Sequence, residues 1–358
     1  MFLPLPCIRP FLLPVINFLF PYLYLNAMNK KTLYCIFIPL ILLACILIAS
    51  CGRYQAKKQS AIFPVFSDSI SLEQACRLVS LNLMGIAGDA DTMPLVSFYR
   101  TLDSTAACLS QSLGGQKPSV AAVDSILAIV YKTWNIQFDS RDTLPETLLP
   151  HLVYKNRKGA CLGVSLMMLM LAERAGCPLY GVMLPGHFFC RFDNGTRQFN
   201  IEPNKDGFQH PNGYYTEHYP VAGKPWYDLA SLNKSKTIGM LCYNAGTMCM
   251  DRRQYSTAIG YFKVAAARID GFAEAKGNLA LAYAFAGVPD SSLAVFEKLF
   301  AVHPDFVNLA ANYGSVAMAA KQYEKARDIF RKGLDFYPED TTLLYGLTQA
   351  YERLEKAP

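Results

Sequence analysis

The last third of this chain repeats itself every 34 residues, and that period constrains its fold more than any other feature. Gly246, Ala280 and Gly314 are 34 apart, as are Phe262, Phe296 and Phe330. Ala258, Ser292 and Ala326 keep the same spacing, and so do Asp270, Pro304 and Pro338. The positions fit one pair of helices per unit. A small residue lets the two helices close up, the Phe fills the groove between them, and Pro stops the second helix. A unit of this size cannot bury its apolar face alone, so stacked units must share one continuous helical core. Three units span 239–340, and Thr341–Lys356 is expected to cap the stack, with Glu352, Arg353, Glu355 and Lys356 on its wet side.

The pattern resembles the tetratricopeptide repeat, with Tyr255 and Tyr323 at the aromatic position that opens the second helix. That resemblance implies an all-α array over 239–357 which either presents a surface to a protein partner or packs on the domain before it.

At the front, residues 1–50 hold three basic residues (Arg9, Lys30, Lys31) and no acidic one. They account for much of the apolar balance of the chain, 52% hydrophobic against 17% charged. Removing them leaves 31 basic and 28 acidic residues, so the net charge drops from +6 to +3. That charge is too small and too scattered for a nucleic-acid surface. Pro10, Pro14 and Pro21 break the first apolar run, which makes it a poor membrane helix. The second run starts at Met28 and has secretory-signal anatomy: Lys30 and Lys31, an apolar core from Leu33 to Ile48, then Ala49 and Ser50 before Cys51. Ile48-Ala49-Ser50-Cys51 resembles the lipobox of bacterial lipoproteins, which implies lipid attachment at Cys51, a true start at Met28 and residues 51–67 as a tether. Several acyl chains on one residue hold a protein stably on a membrane. By resemblance to known sorting rules, Gly52 favours the outer membrane of the cell envelope over the inner.

The chemistry lies between these two ends. Residues 68–149 show mostly helical periodicity, the first helix opening at Ser69 with Glu73 in its first turn. Gly159 then precedes an apolar helix from Cys161 to Ala175, closed by Gly176 and Pro178. Strands Leu179–Leu184 and His187–Phe192 flank the Pro185-Gly186 turn. Asp193-Asn194-Gly195 reads as a tight hairpin turn into a third strand, Arg197–Glu202. Cys161 thus opens a helix, where backbone N–H groups favour a thiolate. A hairpin centred between 194 and 195 would set His187 opposite Glu202. Nucleophile, base and acid in that order make a Cys/His/acid constellation. Taken singly, Cys161 reads as well as a core residue, His187 as a turn residue and Glu202 as a solvated strand end. Asn200 and Asn204 are fallback groups to orient the imidazole. His210 and His218 lack metal-ligand spacing; their loop, with Tyr214, Tyr215 and Tyr219, shapes a groove edge or packs on the sheet. Cys76, Cys108, Cys177, Cys190, Cys242 and Cys249 follow no disulfide framework; Cys177 and Cys190 flank the first two strands and either meet or serve as small buried hydrophobes.

The stretches KGACLGVSLMMLMLAERAGCPLYGV, LPGHFFCRF, FNIEPNKDG and GYYTEHY, within about 127–219, resemble the second core subtype of the bacterial transglutaminase-like superfamily. The resemblance implies an α+β, papain-like domain over 68–235, with Cys161 as nucleophile, His187 as base and Glu202 where the family more usually has Asp. It implies amide or ester acyl transfer or hydrolysis without metal or cofactor. The alternative is a non-catalytic envelope scaffold that holds protein partners on the repeats and a degenerate form of the same fold.

Overall fold

The computed structural model describes residues 66–356 apart from 68, 90, 115–118, 142–143, 222–223, 225 and 307. Met28, Cys51 and nearly all of the expected tether lie outside the described residues. Helix α1 (Leu72–Ala87) is started by Ser71, whose hydroxyl accepts from Gln74 N while the Gln74 side chain accepts from Ser71 N, both at 3.1 Å. This reciprocal pair moves the helix start two residues beyond the expected Ser69. Helices α2 (Met93–Ser112) and α3 (Val120–Leu127) follow, and α3 runs on into a π-helical turn, Ala128–Thr133. Strand β1 (Gln137–Phe138), the short helices α4 (Pro145–Leu148) and α5 (Pro150–Asn156), and strand β2 (Lys158–Gly159) complete the lead-in, with β1 and β2 parallel.

Helix α6 (Cys161–Ala175) is the centre of the domain. Leu162 through Ala172 are all buried, the pattern of a helix enclosed on every side rather than one with a single apolar stripe. Gly163 permits that enclosure: a Cβ there would collide with the Thr147 carbonyl oxygen and sit 3.0 Å from its carbon. Gly176, at φ 64°, ends the helix.

The sheet beside it runs in the order β3 (Leu179–Leu184), β4 (His187–Asp193), β5 (Gln198–Ile201), all antiparallel. Its second hairpin departs from the expected register. Asp193 pairs with Gln198 and Cys190 with Ile201, so paired numbers sum to 391 and the connection is the four-residue loop 194–197. Asn194 explains this: its side-chain oxygen accepts from Thr196 N and Arg197 N, holding the wider turn. A slip of two residues keeps every side chain on its original face, whereas a slip of one would have reversed them all. Glu202 accordingly leaves the β4 ladder and bridges Phe208 instead. Helix α7 (Asn212–His218) follows.

The repeats are three antiparallel helix pairs: α8 (Lys234–Asp251) with α9 (Tyr255–Arg268), α10 (Ala273–Phe285) with α11 (Pro289–Val302), and α12 (Leu309–Ala319) with α13 (Tyr323–Phe336). Helix α14 (Thr341–Glu355) caps them. A Cβ on Gly246 would lie 2.7 Å from the Phe262 ring, and one on Gly314 2.5 Å from Phe330 Cζ. Those glycines therefore mark the close approach inside a helix pair. Glu352, Arg353, Glu355 and Lys356 are exposed, as are Leu344, Tyr345 and Tyr351 on the same helix.

The array also packs on the domain before it. Helix α8 lies against α1, and the Tyr261 hydroxyl donates to Asn82 Oδ1 at 2.8 Å. The segment after α7 reaches across to the repeats: Trp226 is buried, with its ring 5.3 Å from His303 and 6.0 Å from Phe306. Beside it Lys224 stands 3.6 Å from the buried Glu274.

Candidate active site

Cys161 is the first residue of α6, after Ala160 in extended conformation. Its sulfur lies where the helix dipole and unpaired amides favour negative charge. Two contacts hold that helix end in place: Ala160 N donates to Thr147 O at 2.9 Å, and Gly163 packs on the same peptide. His187 opens β4 immediately after the Pro185-Gly186 turn, in which Gly186 takes φ 69°.

Glu202 reaches His187 along a diagonal. Continuing the ladder sets Glu202 opposite Phe189, so His187 is two residues further along the facing strand. Diagonal neighbours of this kind are within reach of long side chains, and the Glu202 Oε2 to His187 Nε2 distance is 3.0 Å with both side chains almost fully buried. The other carboxylate oxygen accepts from Asn204 N at 3.0 Å. The additional methylene of Glu over Asp is thus put to use by the wider turn.

The electrostatics follow. Burial acts to lower the His187 pKa, but hydrogen bonding to Cys161 and Glu202, together with their charges, overrides it and raises the imidazole to about 9. Burial pushes the Glu202 carboxyl up, but the His187 hydrogen bond and charge and the Asn204 amide outweigh that and bring it below the usual range. With Nε2 committed to the carboxylate, Nδ1 is the nitrogen left to exchange a proton with sulfur. The arrangement suits a base beside a cysteine, its protonated form anchored by a buried acid.

Neither fallback residue orients the ring by its side chain. Asn200 accepts from Arg191 Nε at 2.8 Å and donates to His210 O and to Asn212 Oδ1. Asn204 acts only through its backbone, and its side-chain oxygen has no hydrogen-bond partner. Sequence reasoning missed Arg191, which is buried on the His187 face of the sheet. It binds Asn200, Asn212 and the Leu229 carbonyl, tying β5, α7 and the following segment together. Its sequence signal was a charged residue inside an otherwise apolar strand, at the same parity as His187.

The aromatic loop covers this face. The Tyr219 ring lies flat on His187, with centroids 4.5 Å apart and planes 9° apart. Tyr215 is fully buried and stacks on Phe189 at 3.9 Å. Its hydroxyl faces the Glu202 carboxylate without a hydrogen bond of normal geometry. His210 and His218 stack on the two faces of Tyr214 at 3.7 and 4.2 Å, so the rings are engaged with an aromatic rather than with each other. Among the described residues no group of three His, Cys, Asp or Glu is placed to hold a metal ion. Cys177 and Cys190 are both free and buried, and burial pushes their thiols up to about 11 and about 12.

Residues 97–210 match the transglutaminase-like superfamily. The chain carries a transglutaminase-like domain followed by a tetratricopeptide-type helical array. Over 112 residues it is 29% identical to the Hsp70-Hsp90 organizing protein of Triticum aestivum, a match covering 31% of this chain and 19% of that protein. It is 29% identical over 112 residues to Hsp70-Hsp90 organizing protein 1 of Glycine max, covering 31% and 20%. The chain thus spans about a fifth of the length of these curated relatives. Among solved structures, the Sgt2 TPR domain from Aspergillus fumigatus aligns at 20% identity and a TM-score of 0.32, over 33% of this chain and 80% of that one. Menin aligns at 11% identity and a TM-score of 0.40, over 77% and 71%.

Proposed function

We propose that this chain is a thiol-dependent acyl-transfer enzyme acting through Cys161, His187 and Glu202. The observation that carries the reading is the buried His187, held by Glu202 on one nitrogen and coupled to Cys161. The sulfur attacks an amide or ester carbonyl, and the C–S bond forms as the carbonyl π electrons move to oxygen. Collapse expels the amine or alcohol, which takes its proton from His187. Water or an amine then gives a proton back to His187 as it attacks the thioester, and the thiolate leaves. The Cys161 backbone amide is the natural first donor to the oxyanion. Glu202 stays ionised and holds the imidazolium.

The same proposal places the enzyme on the bacterial cell envelope, lipid-anchored through Cys51 to the outer membrane in preference to the inner. Its support is the run from Met28 to Cys51. Peptide or peptidoglycan-linked amides are the substrates that such a location offers. Iodoacetamide labelling of the purified chain at about pH 6, mapped by peptide mass spectrometry, tests the reading: Cys161 should be modified first. A Cys161 no faster than a model thiol would overturn it.

A second reading has its own support. The likeness to the organizing proteins lies in repeat-containing relatives, which favours a role of the array in holding a protein partner. An unreactive Cys161 with a partner retained on the repeats would make the chain a scaffold.

A further inference from the structure

Among the contacts of His187, one has no part in the proposed reaction: that with Tyr219, which also packs at the margin of the core formed by Val182, Leu184, Phe189 and Tyr215. Tyr219 follows α7, is half-buried, and lays its ring on the imidazole in near-parallel contact. Its neighbours explain why it stays there. Tyr215, one helical turn earlier, is locked on Phe189, and Tyr219 N donates to Tyr215 O at 2.9 Å. The helix that carries Tyr215 and leads into Tyr219 is pinned through Asn212 to Arg191 and Asn200. These anchors hold the backbone of Tyr219 at a set height over His187. Core packing alone asks for no such parallel alignment, since edge-to-face contact serves burial equally well.

Resting on the thiol-enzyme reading, we propose that Tyr219 is a positioning residue for His187. Its ring fixes the plane in which the two imidazole nitrogens address sulfur and carboxylate, and its π face stabilises the protonated ring. A cation over an aromatic face within about 6 Å is attracted by the ring quadrupole, and 4.5 Å lies well inside that range. The groups that face His187 are Cys161 from α6, Glu202 beyond β5, and Tyr215 and Tyr219 from the α7 segment. Tyr131 and His210 stand further out and sense the Glu202 charge. Among the described residues only Tyr219 is in face-to-face contact as close as 4.5 Å, so its removal leaves the ion pair partners in place while taking away the plate that aligns them.

The test uses the full chain in detergent, with two readouts. One is the pH dependence of Cys161 alkylation by the anionic reagent iodoacetate, whose alkaline limb tracks loss of the imidazolium. The other is NMR titration of the ¹³C-labelled His187 ring. Tyr219→Phe should leave both in place, because the plate remains. Tyr219→Leu should move both to lower pH by about half a unit or more and slow alkylation at pH 6 several-fold, with the unfolding temperature recorded to show that the fold survives. If Tyr219→Leu folds and neither readout moves, the inference is overturned. If wild-type Cys161 is unreactive while the His187 titration still shifts in Tyr219→Leu, the positioning role stands and the enzyme reading fails.

Discussion

Glu202 meets His187 from beyond the end of β5, its carboxylate 3.0 Å from Nε2 across a diagonal of the hairpin rather than from the position directly opposite. Side-chain length matters at a diagonal. Glu202→Asp should therefore lose the contact although it keeps the charge, and Glu202→Gln should keep the reach but lose the charge. Both should slow Cys161 alkylation about tenfold to a hundredfold, the range for removing a charge-assisted hydrogen bond. His187→Ala, which removes the base, should cost more, about a hundredfold or beyond. Rates at pH 6 for the three variants decide this, and an Asp variant as fast as wild type would contradict the diagonal.

The same pair makes stability depend on pH. His187 is raised from 6.5 to about 9 in the folded chain, so its contribution is complete below about 6.5 and is lost as pH climbs through 9. Glu202 is lowered from 4.5, so its contribution is present above about 4.5 and is lost as pH falls through its folded value. The stability of wild type over His187→Gln should be greatest between these two ordinary values and shrink towards pH 9, with an upper bound of about 3 kcal/mol. Thermal unfolding of the two proteins across that range measures it. A gap that widened on the alkaline side would contradict the assignment.

Thiol labelling should sort the cysteines into three groups. Cys177, Cys190 and Cys249 are buried with their thiols raised to about 11, 12 and 12, and should stay unmodified in the native protein. Cys108 is exposed and should label in the native protein. Cys161 alone should react readily at pH 6. Peptide mapping at two pH values separates the three behaviours.

Two glycines carry opposite lessons about tight packing. Gly314→Leu would overpack the contact with Phe330, whose Cζ would also lie 2.5 Å from a Cβ placed on Gly346 of α14. A loss of about 1–3 kcal/mol in unfolding free energy is expected, with Cys161 reactivity unchanged. Gly163→Ala meets backbone, the Thr147 carbonyl, rather than a movable side chain. It should displace the start of α6, lowering both stability and alkylation at Cys161. A Gly163→Ala protein with native reactivity would mean that the helix end is not held by that contact.

Lipid attachment has its own measurement. Metabolic labelling with a fatty-acid analogue should mark the chain, and Cys51→Ala should abolish the label; a mutant that remains labelled excludes that site.

The helix from Cys161 to about Ala175 and the strand Leu179–Leu184 were legible, because Gly159, Gly176, Pro178 and Pro185 punctuate them. The repeat pairs were legible because a 34-residue period is a long signal. The width of the 194–197 loop was not, since Asn194-Gly195 favours a two-residue turn locally and only the Asn194 side-chain bonds to 196 and 197 select the wider one. His187 and Glu202 still meet because a two-residue slip preserves strand faces. The role of Arg191 and the contact of Tyr219 with His187 were not legible for a different reason. Their partners lie 9 to 38 residues away for Arg191 and 32 for Tyr219, and no local pattern encodes such pairings.

Trp226 and Leu229 stand three residues apart, one seated on the repeats and the other holding Arg191 by its carbonyl. A cut in the gene at the start of α8 would therefore strand a tryptophan from its socket and bare an aromatic pocket on the array. The two halves cannot be shuffled as independent cassettes. Recombination that exchanged the repeats would have to carry residues 224–233 along with them, so the heritable unit of the array begins inside what looks like the domain before it.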